Sequence, residues 1–442
     1  MRVLVLGSGG REHALAWAIG RSPRVDEVLC APGSDGIRGD ARVAPVDLAD
    51  PAAVVALASR EGVGLVVVGP ETPLVAGVAD RLEAAGVPVF GPSADAARLE
   101  GSKAFAKGFM NRQGIPTAAH RVFEDPDAAE RYAEEQGGPL VVKADGLAAG
   151  KGVSVCRGVD EAKRAIHEAM REHRFGEAGK RIVIEERLVG EEASFYALSD
   201  GQDFVCLAAA QDHKRALDGD QGENTGGMGA YSPTPVIDAA VERKIVERIV
   251  RPALDGMRAE GCAYRGVLYV GLMIVDGEPY VIEFNVRFGD PETQPLLFRL
   301  ESDLVPLLEA AARGRLGPLA AEAPRFGDPA VCVVLASAGY PRGYATGFAI
   351  EGLEESESCP EVKVFHAGTR YEGGSWCTAG GRVLGVTARG QTIAHARERA
   401  YDVVRRLRFK GAHYRTDIAL RGSESGVPAA GETGHSGRGG GA

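Results

Sequence analysis

The chain has 442 residues, of which 45% are hydrophobic, so it is long enough for several domains of ordinary globular composition. Its formal net charge of −10 argues against nucleic acid as a partner, because binding to a phosphate backbone depends on clustered lysine and arginine. The seven cysteines form no Cys-x-x-Cys pair, which disfavours a disulfide framework and a zinc site and favours a reducing cytoplasm. The first apolar run is too short for a signal peptide, and no run approaches the roughly 18 residues of a membrane span.

The amino-terminal part of the chain alternates between strand-like and helix-like patterns, which predicts a layer of parallel strands covered by helices. Helices are predicted to begin at about Arg11 and at about Leu74. The predicted strands are Val3–Leu6, Glu27–Ala31, Leu65–Val68 and Val87–Phe90. We therefore expect an N-terminal α/β substrate domain over residues 1–101.

A glycine-rich turn follows the first strand and includes Gly7, Gly9 and Gly10. Backbone N–H groups at the start of a helix favour an anion, so this turn is a candidate phosphate site. A dinucleotide fingerprint is the other functional interpretation, but Glu12 stands where its third glycine belongs, and the second predicted strand ends without an acidic residue for a ribose. A phosphate or small substrate is favoured over NAD, and a turn that only packs strand on helix is the structural alternative.

A second domain is expected from Ser102, a candidate N-cap for a helix through about Asn111. Strands are predicted at Pro139–Lys143 and Val153–Cys156, and a glycine-containing turn from residue 145 to residue 152 joins them. This turn could fold over a phosphate, with Lys143 and Lys151 supplying positive charge. It is not a Walker motif, because Gly follows Lys151 where that motif needs Ser or Thr. A plain hairpin is the alternative.

The next predicted strand, Arg181–Glu185, runs into an acidic turn that ends at Glu192. A nucleotide clamp needs acceptors for the adenine amino group and the ribose hydroxyls, with an apolar surface between them. Glu185, Leu188 and Glu192 could supply these groups. An acidic turn in solvent is the alternative interpretation.

A long polar and glycine-rich region over residues 211–231 contains Asp212, His213 and Lys214 and is interpreted as an ordered active-site loop. A helix follows, interrupted at Pro252, and it is interpreted as core packing. Its apolar stripe consists of Val241, Ile245, Ile249 and Met257.

The segment over residues 280–294 joins a strand to a loop dense in charge. Side chains two residues apart on a strand share a face, so Glu283 and Asn285 can offer hard oxygen ligands to one cation such as Mg²⁺. Arg287 and Asp290 follow in the loop. The strand itself is predicted to be buried on both faces, and a strand end with solvated polar residues is the alternative.

A third domain is expected over residues 328–421, with strands at Ala330–Ser337, Lys363–Phe365 and Arg382–Thr387 and a helix at Thr392–Leu407. A supporting domain that packs on the rest of the chain is the favoured interpretation. Residues 422–442 are rich in glycine and almost free of large apolar side chains, so they are predicted to be a disordered tail.

Several motifs carry a family resemblance that extends over about residues 1–421. They are GSGGREHALAW, GPETPLVAG, EGSKAFAK, VVKADGLAAGKGV, IEERLVGEEASF, QDHKR, NTGGMGAYSP and RFGDPETQ. With them the chain resembles the ATP-grasp ligases and, within these, the phosphoribosylamine–glycine ligase (glycinamide ribonucleotide synthetase) family. The lysines, the acidic hinge and the Glu-x-Asn pair are shared by ATP-grasp proteins in general, and RFGDPETQ narrows the resemblance to this family.

The resemblance implies a multidomain fold of the α/β and α+β classes. Its parts are an N-terminal parallel α/β (Rossmann-like) domain, an ATP-grasp domain over residues 102–327 with a mobile lid at about 118–190, and a small C-terminal α/β domain. It also implies ligation of glycine to 5-phosphoribosylamine through glycyl phosphate in purine biosynthesis, with ATP and Mg²⁺, or Mn²⁺ in its place. The alternatives are another ATP-grasp carboxylate–amine ligase of nucleotide metabolism and a non-catalytic nucleotide- or NAD-binding protein. A monomer or weak homo-oligomer in the cytoplasm is expected, with neither nucleic acid nor membrane as a partner.

The resemblance also implies residue roles in the ATP site. Glu283 and Asn285 hold the metal, Lys103 and Lys143 neutralise the phosphates, and Lys143 also acts in catalysis. Glu185 and the backbone near Leu188 hold adenine, and Glu192 holds ribose. Lys151 belongs to a turn from residue 148 to residue 152 that closes over the phosphates.

For the other substrates, the resemblance implies roles for residues in the first and second domains. Arg287 stabilises the acyl-phosphate oxyanion or grips glycine, unless it is only salt-bridged to Asp290. Asp290 orients the attacking amine or holds Arg287. The remaining predicted substrate contacts are Gly9 and Gly10 at the phosphate of phosphoribosylamine, Glu71 near its sugar, and Asp212 and Lys214.

Overall fold

The computed structural model describes residues 1–148, 152–356 and 359–424. Its first region holds a five-stranded parallel sheet flanked by helices. The elements are β1 (Arg2–Gly7), α1 (Gly10–Gly20), β2 (Glu27–Pro32), β3 (Arg42–Val43), α2 (Pro51–Arg60), β4 (Leu65–Val68), α3 (Glu71–Val75), α4 (Val78–Ala84), β5 (Val89–Phe90), α5 (Ala94–Gly101) and α6 (Lys103–Gln113). The sheet order is β3, β2, β1, β4, β5, which confirms the predicted parallel layer.

Most predicted elements of this region are confirmed, with small shifts at their ends. The helix predicted from Leu74 is instead two short helices, α3 and α4. Neither α2 nor α5 was predicted, although each begins at a side-chain cap, Asp50 for α2 and Ser93 for α5. The predicted cap Ser102 accepts a hydrogen bond from the N–H of Phe105 (3.1 Å) and begins α6.

The second region is a four-stranded antiparallel sheet with its own core. Its elements are β6 (His120–Phe123), α7 (Pro126–Gln136), β7 (Leu140–Ala144), β8 (Val153–Cys156), α8 (Val159–Ile166) and β9 (Ile182–Glu186). The sheet order is β6, β9, β7, β8, and a hydrophobic cluster that includes Leu140, Ile166 and Ile184 lies under it. The turn between β7 and β8 contains residues 149–151, which lie outside the described residues.

The third region contains a second four-stranded antiparallel sheet. Its elements are β10 (Glu191–Asp200), β11 (Phe204–Cys206), β12 (Gln211–Asp212), β13 (Arg215–Leu217), β14 (Gln221–Asn224), β15 (Gly229–Ser232), α9 (Ala239–Ile245), α10 (Arg251–Ala259), β16 (Arg265–Val275), β17 (Glu278–Asn285), α11 (Thr293–Phe298) and α12 (Leu304–Ala312). The sheet order is β11, β10, β16, β17. Successive residues of β10 enter different hydrophobic cores. Phe195 belongs to the cluster that contains Leu4 of β1, and Tyr196 belongs to the cluster that contains Val5. The first and third regions therefore share their cores.

Three details of the third region differ from the prediction. The region over residues 211–231, interpreted as a loop, contains the short strands β12 to β15. The helix expected to be interrupted at Pro252 continues from α9 to α10 through a wide π-helical turn, Val246–Val250. A wider turn accommodates a proline because the proline ring lacks an N–H and occupies space toward the preceding turn. The segment over residues 281–286 was expected to be buried on both faces. Val281, Phe284 and Val286 are buried, whereas Ile282 is half-buried.

The fourth region completes a five-stranded antiparallel sheet. Its elements are β18 (Ala330–Ala336), α13 (Leu353–Ser356), β19 (Val362–His366), β20 (Thr369–Glu372), β21 (Ser375–Thr378), β22 (Arg382–Arg389), α14 (Ile393–Val404) and α15 (Leu420–Glu424). The sheet order is β12, β15, β18, β22, β19, so two of its strands come from the third region. The predicted strands and the helix α14 are confirmed. Helix α15 runs to Glu424, past the predicted domain end at residue 421, and residues 425–442 lie outside the described residues. In the described residues, no helix is long and apolar enough to cross a bilayer.

A buried ionic network fastens the last part of the chain to the hairpin β13–β14. Arg415 is 1% exposed and donates hydrogen bonds to both carboxylate oxygens of Asp417 (2.7 Å each) and to Asp220 (2.9 Å). The N–H of Ala419 donates to Nε2 of His213 (3.1 Å), so this imidazole accepts at Nε2 and must be neutral there. Burial, with Arg415 nearby, lowers the pKa of His213 to about 4. The hairpin is therefore held by charged arginine and aspartate side chains and by a neutral histidine.

We predict that stability falls as the pH drops below about 6.5, the pKa of His213 in the unfolded chain, toward the folded value of about 4. A histidine with a lowered folded pKa is neutral in both states above this window, and inside it only the unfolded chain gains the proton. Lowering the pH from 7 to 5 therefore reduces the free energy of unfolding by about 2 kcal/mol through His213 alone. Urea unfolding of His213→Gln is expected to show a flatter pH dependence. His395→Gln, which removes an exposed imidazole on α14, is the control, and equal slopes for the two variants would contradict the prediction.

Candidate active site

The carboxyl end of β17 carries the predicted metal pair. Asn285 Nδ2 donates to Glu283 Oε1 across 3.4 Å, so the two side chains share one face as their spacing predicts. Asn285 Oδ1 accepts from Arg287 (3.1 Å), and its second lone pair remains available to a cation. In the described part of the chain, no cluster of three or more His, Cys, Asp or Glu residues could hold a metal. Mg²⁺ fits this donor set, since it is commonly held by one or two protein oxygens together with substrate phosphates and water.

Three lysines from distant elements surround Glu283. Burial alone would raise the pKa of the Glu283 carboxyl. The ammonium groups of Lys214, Lys143 and Lys103 have the larger opposite effect, so the pKa is lowered overall. Lys103 begins α6, Lys143 lies in β7, and Lys214 follows β12. Burial lowers the pKa of Lys103, which Glu283 opposes. The four residues form one cluster, with three cations acting on one carboxylate, that suits a phosphate chain and its cation.

A buried triad lies beside this cluster, and sequence reasoning found only part of it. Glu185 Oε2 accepts from Lys143 (2.9 Å) and from Lys107 (3.1 Å), and all three side chains are at most 5% exposed. Lys107 also donates to Thr117 Oγ1 (2.6 Å). Lys107 lies one helical turn after Lys103 on α6. This spacing was the feature of the sequence that could have placed the two lysines on the same side of the helix. Glu185 Oε1 is buried without a hydrogen-bond partner among the described residues.

The predicted hinge lies between β9 and β10. Leu188 is half-buried in the four-residue link, and Glu192 near the start of β10 accepts from Lys214 (3.1 Å). Burial raises the pKa of Asp212 to about 7, against the opposing charge of Lys214. Burial also disfavours the charged form of Lys214, but Asp212 and Glu192 together raise its pKa well above the usual value. Asp212, Lys214 and Glu192 are therefore brought together with the metal pair.

Arg287 is not paired with Asp290, so that structural alternative is wrong. Its Nε donates to Glu71 (3.1 Å) and its Nη2 to Glu100 (2.9 Å). Burial raises the pKa of Glu100 despite Arg287, whereas for Glu71 the charges of Arg287 and Arg11 outweigh burial and lower the pKa. Glu100 was missed because it lies 187 residues from Arg287 in sequence, at the end of an unpredicted helix.

Asp290 is held by a residue of the fourth region. Arg382 Nη2 donates to Asp290 Oδ2 (2.9 Å), and Gln294 Nε2 donates to Oδ1 (2.9 Å). Burial raises the pKa of Asp290, but Arg382 and Arg11 outweigh it and the pKa is lowered. Sequence reasoning missed Arg382 because nothing in the pattern of β22 distinguishes it from a polar residue at a strand end.

The glycine turn of the first region packs against this loop. A Cβ built on Gly10 would lie 2.8 Å from Gln294 Nε2, and one on Gly9 would lie 3.7 Å from Asp290 Oδ2. The N–H of Gly9 donates to Glu12 Oε2 (2.7 Å), so the chain's own carboxylate occupies the anion position at the start of α1. The same carboxylate accepts from Arg11 (2.6 Å).

The predicted site residues therefore form two adjoining groups. The first group contains Lys103, Lys143, Glu185, Glu192, Asp212, Lys214, Glu283 and Asn285. The second contains Gly9, Gly10, Glu71, Arg287 and Asp290. Leu188 lies at the hinge, and Lys151 lies outside the described residues. Arg287 joins the groups through Asn285.

Comparison with known proteins gives a consistent match along the chain. Family models described as the N, ATP-grasp (A) and C domains of phosphoribosylglycinamide synthetase match residues 1–100, 101–293 and 330–421. The phosphoribosylamine–glycine ligase of Allochromatium vinosum is 51% identical over 424 residues, covering 95% of this chain and 98% of that protein. The chloroplastic phosphoribosylamine–glycine ligase of Arabidopsis thaliana is 52% identical over 418 residues, covering 93% of this chain and 78% of that protein.

Solved structures give the same picture at the level of the fold. The crystal structure of phosphoribosylamine–glycine ligase from Thermotoga maritima matches with a TM-score of 0.82 and 36% identity, covering 95% of this chain and all of that one. Biotin carboxylase from Campylobacter jejuni matches with a TM-score of 0.72 at 15% identity, covering 95% and 94%, and shows a shared fold only.

We predict that Gly227→Ala disturbs the site more than an equivalent change nearby. A Cβ at Gly227, where φ is +113°, would lie 2.4 Å from Cδ of Pro291, so the glycine-rich loop and the loop after β17 would have to separate. The expected loss of unfolding free energy is about 3 kcal/mol. Gly219 also has positive φ (+66°), but no described atom lies within 4 Å of its Cβ position, so Gly219→Ala should cost only about 1 kcal/mol. Equal losses in urea unfolding would contradict this expectation.

Proposed function

The chain belongs to the phosphoribosylglycinamide synthetase family, and we propose that its two adjoining groups of residues carry out the ATP-dependent ligation of glycine to 5-phosphoribosylamine in purine biosynthesis. The observation that carries the proposal is the Glu283–Asn285 pair, set among Lys103, Lys143 and Lys214 and joined through Arg287 to a second polar group. A phosphate site in contact with a second polar site is what phosphoryl transfer to an acceptor substrate requires.

The first group supports the role of an ATP site. The unpartnered Oε1 of Glu185 is a buried acceptor, and the adenine amino group can donate to it. Lys107 remains bonded to Glu185 when Lys143 turns toward a phosphate oxygen, so the carboxylate stays compensated. Leu188 offers an apolar surface beside the ring, and Glu192 can accept from ribose hydroxyls. Lys103 and Lys143 would neutralise the phosphates from the side.

The ATP-grasp ligases, to which this family belongs, use ATP with a divalent metal. We propose Mg²⁺, with Mn²⁺ able to replace it, held by Glu283 and Asn285. The metal supplies charge neutralisation at the phosphate oxygens. The Glu283 carboxylate is ionised before any ligand arrives, because the three lysines around it lower its pKa.

The proposed chemistry has two steps. A glycine carboxylate oxygen attacks the γ-phosphorus of ATP, which forms glycyl phosphate and ADP. The amine of phosphoribosylamine then attacks the acyl carbon, an amide bond forms, inorganic phosphate leaves, and the amine gives up a proton. The glycine carboxylate needs this activation because its negative charge repels a nucleophile and resonance makes its carbon a poor electrophile. Closure of the site excludes water from the acyl phosphate.

Arg287 contributes to this chemistry as a fixed cation. Four of its five N–H groups have acceptors among the described residues, in Glu71, Phe288 O, Glu100 and Asn285, and one at Nη1 remains. A single donor with a full positive charge suits the developing oxyanion better than a two-oxygen grip on glycine. Asp290, held ionised, is suited to receiving the amine of phosphoribosylamine.

The phosphate of phosphoribosylamine is proposed to lie near Gly9 and Gly10, with Glu71 near the sugar. Because Glu12 already accepts from the N–H of Gly9, a phosphate there replaces the Glu12 carboxylate or uses other donors. Asp212 and Lys214 are proposed to contact glycine at the boundary of the two groups. A monomer or weak homo-oligomer in the cytoplasm is proposed from the sequence.

Phosphate release tests the function. The full chain, incubated with MgATP, is expected to release phosphate only when glycine and freshly generated phosphoribosylamine are both present. Release that needs bicarbonate or another amino acid in place of glycine would point to a different ATP-grasp ligase. No release with any acid and amine would contradict a ligase. Omission of the metal is expected to abolish release, and titration with Mg²⁺ and Mn²⁺ compares the two ions.

We predict that Arg287→Ala lowers turnover at least about a hundredfold, the size of effect seen when one transition-state donor is lost. The measurement is kcat with all three substrates saturating. Arg258→Ala is the control, since Arg258 lies half-exposed on α10 and pairs only with Asp255 among the described residues. Near-normal turnover of Arg287→Ala would remove Arg287 from the mechanism.

A further inference from the structure

Arg382 makes contacts that a residue of a purely supporting domain would not need. It begins β22 in the fourth region, and its guanidinium reaches two loops of the third region. Nη1 donates to the carbonyl oxygens of Gly226 (2.7 Å) and Asp290 (2.8 Å), and Nη2 donates to the Asp290 carboxylate (2.9 Å). One planar fork therefore fixes both the backbone and the side chain of Asp290.

The Asp290 carboxylate depends on this contact for its position and its charge. Its two oxygens are held separately, Oδ2 by Arg382 and Oδ1 by Gln294. Among the charges that keep the pKa of this buried carboxyl below its ordinary value, Arg382 contributes most. Without Arg382, the carboxylate would keep only one of these two anchors, and burial would favour its protonated form.

The second loop that Arg382 holds leads to the first group of site residues, the proposed ATP site. The N–H of Gly226 donates to Tyr340 Oη (2.9 Å), so the fourth region holds both backbone polar groups of this residue. The adjacent Thr225 donates to the carbonyl of Lys214 through its N–H (2.7 Å) and its hydroxyl (2.9 Å). Lys214 in turn donates a hydrogen bond to Glu192, and its charge lowers the pKa of Glu283. Arg382 thus lies where the two groups of site residues meet.

We propose that Arg382 is a positioning residue for the ligation, and that the fourth region completes the active site instead of only supporting it. This inference rests on the proposed function. Arg382 aligns Asp290 with the second substrate and keeps the loop over residues 224–229 seated on the loop after β17. It acts through these contacts and does not take part in bond making.

The first test compares Arg382→Met with Arg389→Met. Both variants remove a guanidinium from β22, but Arg389 pairs with Glu361 at the opposite end of the strand. Arg382→Met is expected to lower kcat about tenfold to a hundredfold, as small misplacements of reacting groups do. Its KM for ATP should change less than kcat, and Arg389→Met should stay within about threefold of wild type. Equal kcat values for the two variants would overturn the proposal.

A double-mutant cycle separates positioning from general damage. If Arg382 acts through Asp290, the double variant Arg382→Met, Asp290→Asn should turn over about as slowly as Asp290→Asn alone. Fully additive losses would overturn the proposed route through Asp290. If Arg382→Met does not fold, Arg382→Lys takes its place, because a lysine keeps the charge but cannot reach both Gly226 O and the carboxylate.

Hydrogen exchange gives a readout that needs no turnover. In Arg382→Met, amides in residues 224–229 and 289–294 should exchange faster, while those of β22 should not change. Arg389→Met should leave both loops as in wild type. Unchanged loop exchange in Arg382→Met would overturn the proposal even if activity fell. A wild-type chain that releases no phosphate with glycine and phosphoribosylamine would instead contradict the proposed function, and the exchange result would still decide the role of Arg382.

Discussion

A buried carboxylate at the end of β17 has to be compensated, and much of this fold meets that requirement. Glu283 stays ionised because lysines from α6, from β7 and from the segment after β12 surround it. Each lysine belongs to a different part of the chain, so the cluster forms only when those parts have packed together. The strand that carries Glu283 is itself fixed by β16 and by the cores shared with the first region. The site is therefore a product of tertiary assembly and not of one motif.

Local features of this arrangement could be predicted from sequence because short-range geometry determines them. Residues two apart on a strand share a face, which placed Glu283 beside Asn285, and a serine before a helical pattern placed the start of α6 at Ser102. The partners of charged side chains could not be predicted in this way. Arg287 pairs with Glu71 and Glu100, and Asp290 with Arg382, across long sequence separations that only the packing of sheets specifies. Lys107 was overlooked although its spacing from Lys103 was visible, since a lysine on a helix is usually solvated.

The two groups of site residues solve the problem of buried charge differently. Three lysines act on the Glu283 carboxylate, which suits a site that receives phosphates, and Glu185, Glu192 and Asp212 complete the charged residues of the first group. Around Arg287 two carboxylates face one guanidinium, and burial already raises the pKa of Glu100. In the first group each lysine lies near at least one carboxylate that a ligand could compete with, while in the second group Arg287 is already bonded to both of its carboxylate partners.

The sheet β12, β15, β18, β22, β19 has a consequence for how this chain can be divided. Two of its strands precede residue 233 and the others follow residue 329, with α9 to α12 and the pair β16–β17 between them. The fourth region is thus a module whose sequence is discontinuous. A cut or a fusion point placed near residue 328 would leave β18 with an open edge, and a transplanted C-terminal segment would lack the strand that covers it. The natural unit for exchange between such chains is the segment over residues 211–232 together with residues 330–424.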